Sequence, residues 1–220
     1  MVKNIFTGAP QTGNLSRFAL CMSVAVGAGL AGTPTFAVHH RPDTRTSQWG
    51  TLQKSPGQVT AQEVIRIAES QIGVAENAAG GGTPFQSWYM SSPRAAETVA
   101  RDGGTPQSYA NAPWCAMFVA WVGEKAGARP TVGWDAYTVT WAKWFEANRR
   151  WGAVPRPGAV VFFAWQTKSI SGIEHMGLVK QDNRNGTITT IEGNTDDGRV
   201  EVRIRPTSQV VGYGYPQYKP

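Results

Sequence analysis

Apolar residues recur at Val64, Ile65, Ala68 and Ile72, the spacing of an amphipathic helix. Thr60-x-x-Glu63 stands ahead of them as a capping box, so a helix is predicted from about Thr60 to near Gly73. Gly80-Gly81-Gly82 then breaks the chain before Phe85–Met90, and Gly103-Gly104 marks another loop. Trp114 to Val122 is apolar at nearly every position, which predicts a second helix, started by Pro113 and ending near Gly127. A third helix is expected over Tyr137–Arg149, with Val139, Trp141, Trp144 and Phe145 as its apolar positions. After Pro155 the pattern changes. Val160–Ala164 is a continuous apolar run of strand length, and Met176–Lys180 is a second. Asn185-Gly186 is a hairpin signal before Thr187–Glu192; Asp197-Gly198 is another before Val200–Ile204, and Gly212–Tyr215 makes a last strand. Helices followed by an antiparallel meander define an α+β domain: N-terminal helices packed on a C-terminal antiparallel β-sheet.

Upstream of this domain the character is different. Lys3 and Arg17 precede an apolar run from Phe18 to Ala31, with no acidic residue before Asp43. That run is shorter than the ~20 residues a membrane-spanning helix needs, and it fits the apolar core of an export signal. Thr35-Phe36-Ala37 supplies a small-x-small cleavage site. Residues 1–37 therefore read as a signal peptide, or as an uncleaved N-terminal anchor. Residues 38–57 read as a polar linker and 58–220 as the folded domain. The chain carries a net charge of +6; losing residues 1–37 removes two basic residues and no acid, leaving 19 against 15, or +4. The charges are scattered, and no nucleic-acid motif accompanies them. Arg149-Arg150 and the Arg199–Arg205 strand read as solvated faces, and no nucleic-acid partner is expected.

Candidate chemistry concentrates in three places. Cys115 falls in the predicted first turn of the apolar helix, where unsatisfied N–H groups and the helix dipole favour a thiolate. The only other cysteine, Cys21, lies in the segment expected to be removed, which leaves an exported protein with one thiol. The competing reading of Cys115 is a buried structural cysteine. His175 is the only histidine beyond the N-terminal region and heads a strand. Glu192 and Asn194 end another strand, two residues apart, so on an extended chain both face the same side. A thiol, an imidazole and an orienting carboxylate or amide are the parts of a cysteine acyl-transfer site.

At this point the chain resembles a known family. Trp114-Cys115-Ala116-x-Phe118-Val119-x-Trp121-Val122, His175-x-Gly177-x-Val179 and Glu192-Gly193-Asn194-Thr195 look like the three signature blocks of the CHAP domain. That family comprises cysteine, histidine-dependent amidohydrolases and peptidases of the NlpC/P60-like, papain-related superfamily. Ala68–Glu76, Pro155–Phe163 and Gly212–Pro216 resemble flanking segments of actinobacterial and phage secreted members, extending the likeness over about residues 58–218. Ala159 departs from the aspartate that many members carry there.

The resemblance implies a papain-like fold and four catalytic residues, Cys115, His175, Glu192 and Asn194. Cys115 would be the nucleophile and His175 the base, with Glu192 or Asn194 orienting the ring. It implies peptidoglycan as substrate, cut as an N-acetylmuramoyl-L-alanine amidase or an endopeptidase. The protein is then expected to be secreted, wall-associated, monomeric and without a stable membrane span in its mature form. Its basic charge would draw it to anionic wall polymers. Trp114, Trp165 and Tyr89, in or next to predicted loops, are the candidate substrate-binding residues. Trp121, Trp141 and Trp144, at helical spacing, read as core. No cofactor is expected and no metal: some members hold calcium upstream of the cysteine, but Ala78–Asp102 lacks an acidic cluster. Asp196-Asp197 reads as a turn and not a calcium loop. Two alternatives stand beside this reading: a catalytically silent wall-binding domain, and a superfamily amidase acting on a non-wall amide.

Overall fold

The computed structural model describes residues 52–220. The expected signal peptide, its cleavage site, Cys21 and most of the linker lie outside the described residues. Among the described residues six α-helices precede a six-stranded sheet: α1 (Ala61–Glu69), α2 (Pro84–Met90), α3 (Pro93–Asp102), α4 (Cys115–Lys125), α5 (Arg129–Val132) and α6 (Thr138–Ala147). The strands are β1 (Trp151–Gly152), β2 (Val160–Phe163), β3 (His175–Asp182), β4 (Thr187–Glu192), β5 (Glu201–Pro206) and β6 (Val210–Gly214). Their order is β1-β6-β2-β3-β4-β5, every neighbour antiparallel. The meander β2 to β5 is as expected; β6 then returns across the sheet to pair with β2. The fold is α+β, helices packed on an antiparallel sheet.

Local chemistry sets these elements. Thr60 and Glu63 form the expected reciprocal cap on α1, and Thr83 and Gln86 repeat it on α2. The helix α1 stops at Glu69, a turn earlier than predicted, which leaves Ile72 outside it and 48% exposed. Pro113 precedes α4 by two positions instead of opening it: Trp114 is the N-cap and Cys115 the first helical residue. The domain also begins before residue 58. Lys54 N–H donates to the Gly127 carbonyl (2.8 Å) and Gly57 N–H to that of Gln217 (2.9 Å).

The core lies between the helices and one face of the sheet. Helix α4 runs through its centre, buried at every position from Cys115 to Glu124 except Trp121, which explains a sequence apolar all round. It packs on α1, α2, α5 and β3. Strand β2 divides its side chains: Val160 and Phe162 face this core, while Val161 and Phe163 join a smaller cluster with Val179, Ile188, Val210 and Tyr213. Both faces are covered, hence the unbroken apolar run. Among the described residues no helix is long and apolar enough to cross a membrane.

Candidate active site

Strand β3 opens with His175, opposite Phe163 of β2. Its ring packs beside Phe163 (centroids 6.0 Å apart) and Trp165 (5.8 Å), which also lie 6.3 Å from each other, and is buried. The ring's Nε2 stands 2.9 Å from Oε2 of Glu192, the last residue of β4. Gly177, two residues after His175, makes that contact possible. A Cβ there would meet Glu192 Cγ at 2.7 Å and the Ile191 carbonyl at 3.0 Å, so only glycine leaves room for the carboxylate to lie across the strand.

Glu192 is fully buried, and four donor groups meet its two oxygens. Arg205 Nη2–H donates to Oε2 (2.6 Å) and Nε–H to Oε1 (3.0 Å), while the Thr190 hydroxyl donates to Oε1. Burial, the largest influence on this group, works to raise its pKa. Hydrogen bonds and charge from His175 and Arg205 outweigh it and hold the carboxyl at about 2, well below 4.5. Glu192 is therefore ionised across the neutral range and can only accept. Nε2 of His175 must carry the proton, and the neutral imidazole keeps its lone pair on Nδ1.

Asn194 does not share this task. Glu192 ends the strand and Asn194 adopts a left-handed backbone (φ 57°), so the alternation that would aim both at the imidazole is lost. Among the described residues the ring's hydrogen bond is to the carboxylate. Asn194 is only 6% exposed, and its Nδ2 is enclosed without a hydrogen-bond partner among the described residues. An unmet buried donor typically costs about 1–3 kcal/mol. With Asn111, Ala112 and Pro113, Asn194 lines a cleft of about 450 Å³ that runs up to the start of α4.

Cys115 sits at that start. The N-cap offers no side-chain hydrogen bond, so the first-turn N–H groups receive no cap from Trp114. Gly193 brings the end of β4 against this turn: a Cβ on it would fall 2.7 Å from both Phe118 Cβ and Trp114 Cζ3. The sulfur is fully buried and disulfide-bonded. The expectation of a lone thiol concerns the chain after loss of residues 1–37; in the full chain Cys115 is bonded.

Two of the three expected substrate contacts are corrected by burial. Trp114 is wholly buried, stacked on Phe85 at 5.3 Å, with its Nε1–H donating to Glu76 Oε2 (2.8 Å). Tyr89 is also wholly buried, its ring edge-on to Tyr109. Both are drawn into the helical core by the packing of α2 on α4. Trp165 is half-buried beside His175, within reach of anything bound there. Its loop is fixed by buried Glu174, which accepts from the Trp165 N–H (2.8 Å) and from Gln166 Nε2 (3.2 Å).

Arg205, Thr190 and Glu174 were not singled out in the sequence. The strand holding Arg205 read as a solvated face, yet its side chain is only 17% exposed and points to Glu192. No motif marks it; the one available sign is an arginine at every second position of a strand paired to the glutamate's. Among the described residues, no group of three or more histidine, cysteine, aspartate or glutamate side chains is placed to hold a metal ion.

Residues 105–194 match the family model of the CHAP domain, a stretch that includes Cys115, His175, Glu192 and Asn194. No curated protein matches the chain. Among solved structures the chain is similar to one described as the crystal structure of Ly7917 with the hydrolyzing product of MDP. The identity is 13% and the TM-score 0.40, over 72% of this chain and 63% of that one. The chain thus spans less than two thirds of that protein's length.

Proposed function

We propose, from the match of residues 105–194 to the CHAP-domain model, that the chain is an exported peptidoglycan hydrolase cutting a wall-peptide amide by Cys–His nucleophilic catalysis. The observation that carries the reading is the buried His175–Glu192 pair, with the end of β4 seated through Gly193 on the turn that opens with Cys115. In this mechanism Nδ1 of His175 takes the thiol proton, and the thiolate forms a bond to the amide carbon. First-turn N–H groups of α4 would stabilise the oxyanion; one such donor typically contributes about 3 kcal/mol to lowering the barrier. The imidazolium returns its proton to the amide nitrogen as the C–N bond breaks. Water then attacks the thioester, giving up a proton to His175, and the acid leaves as the thiol re-forms. Glu192 holds the tautomer and stabilises the imidazolium.

The nucleophile must be a thiolate, so the bond at Cys115 has to open first. Reduction or thiol exchange does this; removal of residues 1–37 leaves Cys115 as a thiol only where it precedes formation of the bond. Export to the wall rests on the apolar run Phe18–Ala31 and on the basic charge. The enclosed, disulfide-bonded sulfur favours a second reading, a wall-binding domain without activity.

The test compares reduced wild type with Cys115→Ser on purified sacculi, followed by mass spectrometry. Stem peptides with a free N-terminal alanine mean an amidase, and uncrosslinked or shortened muropeptides an endopeptidase. Sacculi left intact by reduced wild type but retaining it on pelleting would establish the silent domain instead.

A further inference from the structure

The cleft beside Cys115 carries charge that the acyl-transfer steps do not use. Its lining includes Glu76, Asp196 and Asp197 and contains no lysine or arginine. In a chain of net charge +6 this is a local reversal. The three carboxylates differ in how far they are engaged. Glu76 accepts from Trp114 through Oε2, Asp196 has Arg203 at 3.8 Å, and Asp197 forms no ion pair among the described residues. The second, independent observation is Asn194: more than nine-tenths buried, part of the same lining, with an amide donor that nothing in the described protein accepts. A ligand that satisfies both features brings a cation and, close to it, a carbonyl oxygen. A peptide with a free amine has that composition, and about 450 Å³ admits one or two residues of it.

We propose that this cleft binds the ammonium group of the wall peptide, with Asp196, Asp197 and Glu76 facing the cation and Asn194 Nδ2 donating to a neighbouring carbonyl oxygen. The proposal rests on the hydrolase reading for its choice of peptide. It makes the enzyme selective for strands whose amine is free. The amine has two sources, the α-amine of a peptide terminus and the side-chain amine of a diamino acid, and both present the same charge.

Two measurements test it. The first follows digestion of sacculi, untreated or N-acetylated, by reduced wild type and by Asp196→Asn/Asp197→Asn. Both aspartates are exposed, so the double variant is expected to fold. Acetylation should slow wild type about tenfold at low substrate through KM, whereas the double variant should be slow on untreated walls and indifferent to acetylation. Equal rates for wild type on both walls overturn the proposal. The second is calorimetric binding of alanyl-glutamyl-lysine to the Cys115→Ser chain, with both amines free, the α-amine acetylated, or the ε-amine acetylated. Loss of binding on blocking one amine identifies the source; equal binding of all three forms, or none by any, overturns the proposal. This readout needs no turnover, so binding that persists while wild type leaves sacculi intact refutes the hydrolase and keeps the cleft.

Discussion

Replacing Arg205 by methionine tests how the site holds its carboxylate. Glu192 at about 2, against an ordinary 4.5, reflects roughly 3 kcal/mol of preference for the ionised form within the fold. Arg205 supplies two of the donor groups that offset burial. Methionine keeps the stem and removes the charge, leaving a buried carboxylate with only His175 and Thr190. Breaking a buried pair this way costs on the order of 3–5 kcal/mol. The pH dependence follows from the sign of the shift. A carboxyl depressed in the fold contributes stability above its unfolded value, near 4.5, and loses it as pH falls towards about 2. In Arg205→Met burial is less opposed, the folded value climbs, and that contribution is diminished already at neutral pH. Denaturant unfolding at pH 7 should show the loss, and the acid limb of the activity profile should move to higher pH. A variant within about 0.5 kcal/mol of wild type, with its acid limb in place, would refute the assignment of Arg205 to Glu192.

Other perturbations probe separate contacts. Gly193→Ala puts a Cβ 2.7 Å from Phe118 Cβ and Trp114 Cζ3, so overpacking of about 1–3 kcal/mol should appear as a lowered Tm, along with reduced turnover. Activity of the full chain should require a reductant such as dithiothreitol, and full activity without one counts against a bonded Cys115 in solution. Trp165→Ala should raise KM several-fold with under ~1 kcal/mol of destabilisation, since the indole is half-buried; an unchanged KM removes it from the substrate groove.

Much of the framework was legible because local chemistry and burial agree there. The Thr60 cap, the Asn185-Gly186 turn and the all-apolar α4 each specify their own element. Helix α3 was missed because it buries only Ala95 and Thr98 and shows solvent Ala96, Glu97 and Arg101, a surface pattern without an apolar stripe. Strand β5 misled for the opposite reason. Its apolar Val202 and Ile204 are exposed, while Arg205 turns inward to Glu192, so polarity alone assigns its faces backwards. His175 and a partner at Glu192 or Asn194 were legible from the motifs, but the choice between the two was not; it depends on the close approach that Gly177 allows, which only the structure shows. Asn194 could not be placed, since a left-handed residue after the strand breaks the two-residue period. Trp114 and Tyr89 looked like groove residues only because the helices enclosing them were unseen.

The central claim is that the Cys115 sulfur and the His175 imidazole work as one unit. Iodoacetamide alkylation of the reduced protein near pH 7, read by intact mass, tests this most directly when wild type is compared with His175→Ala and a cysteine-containing peptide. The account predicts that wild-type Cys115 reacts well ahead of the peptide and that His175→Ala falls back to the peptide's rate or below. A wild-type thiol no faster than the peptide, and unaffected by loss of the imidazole, would contradict it.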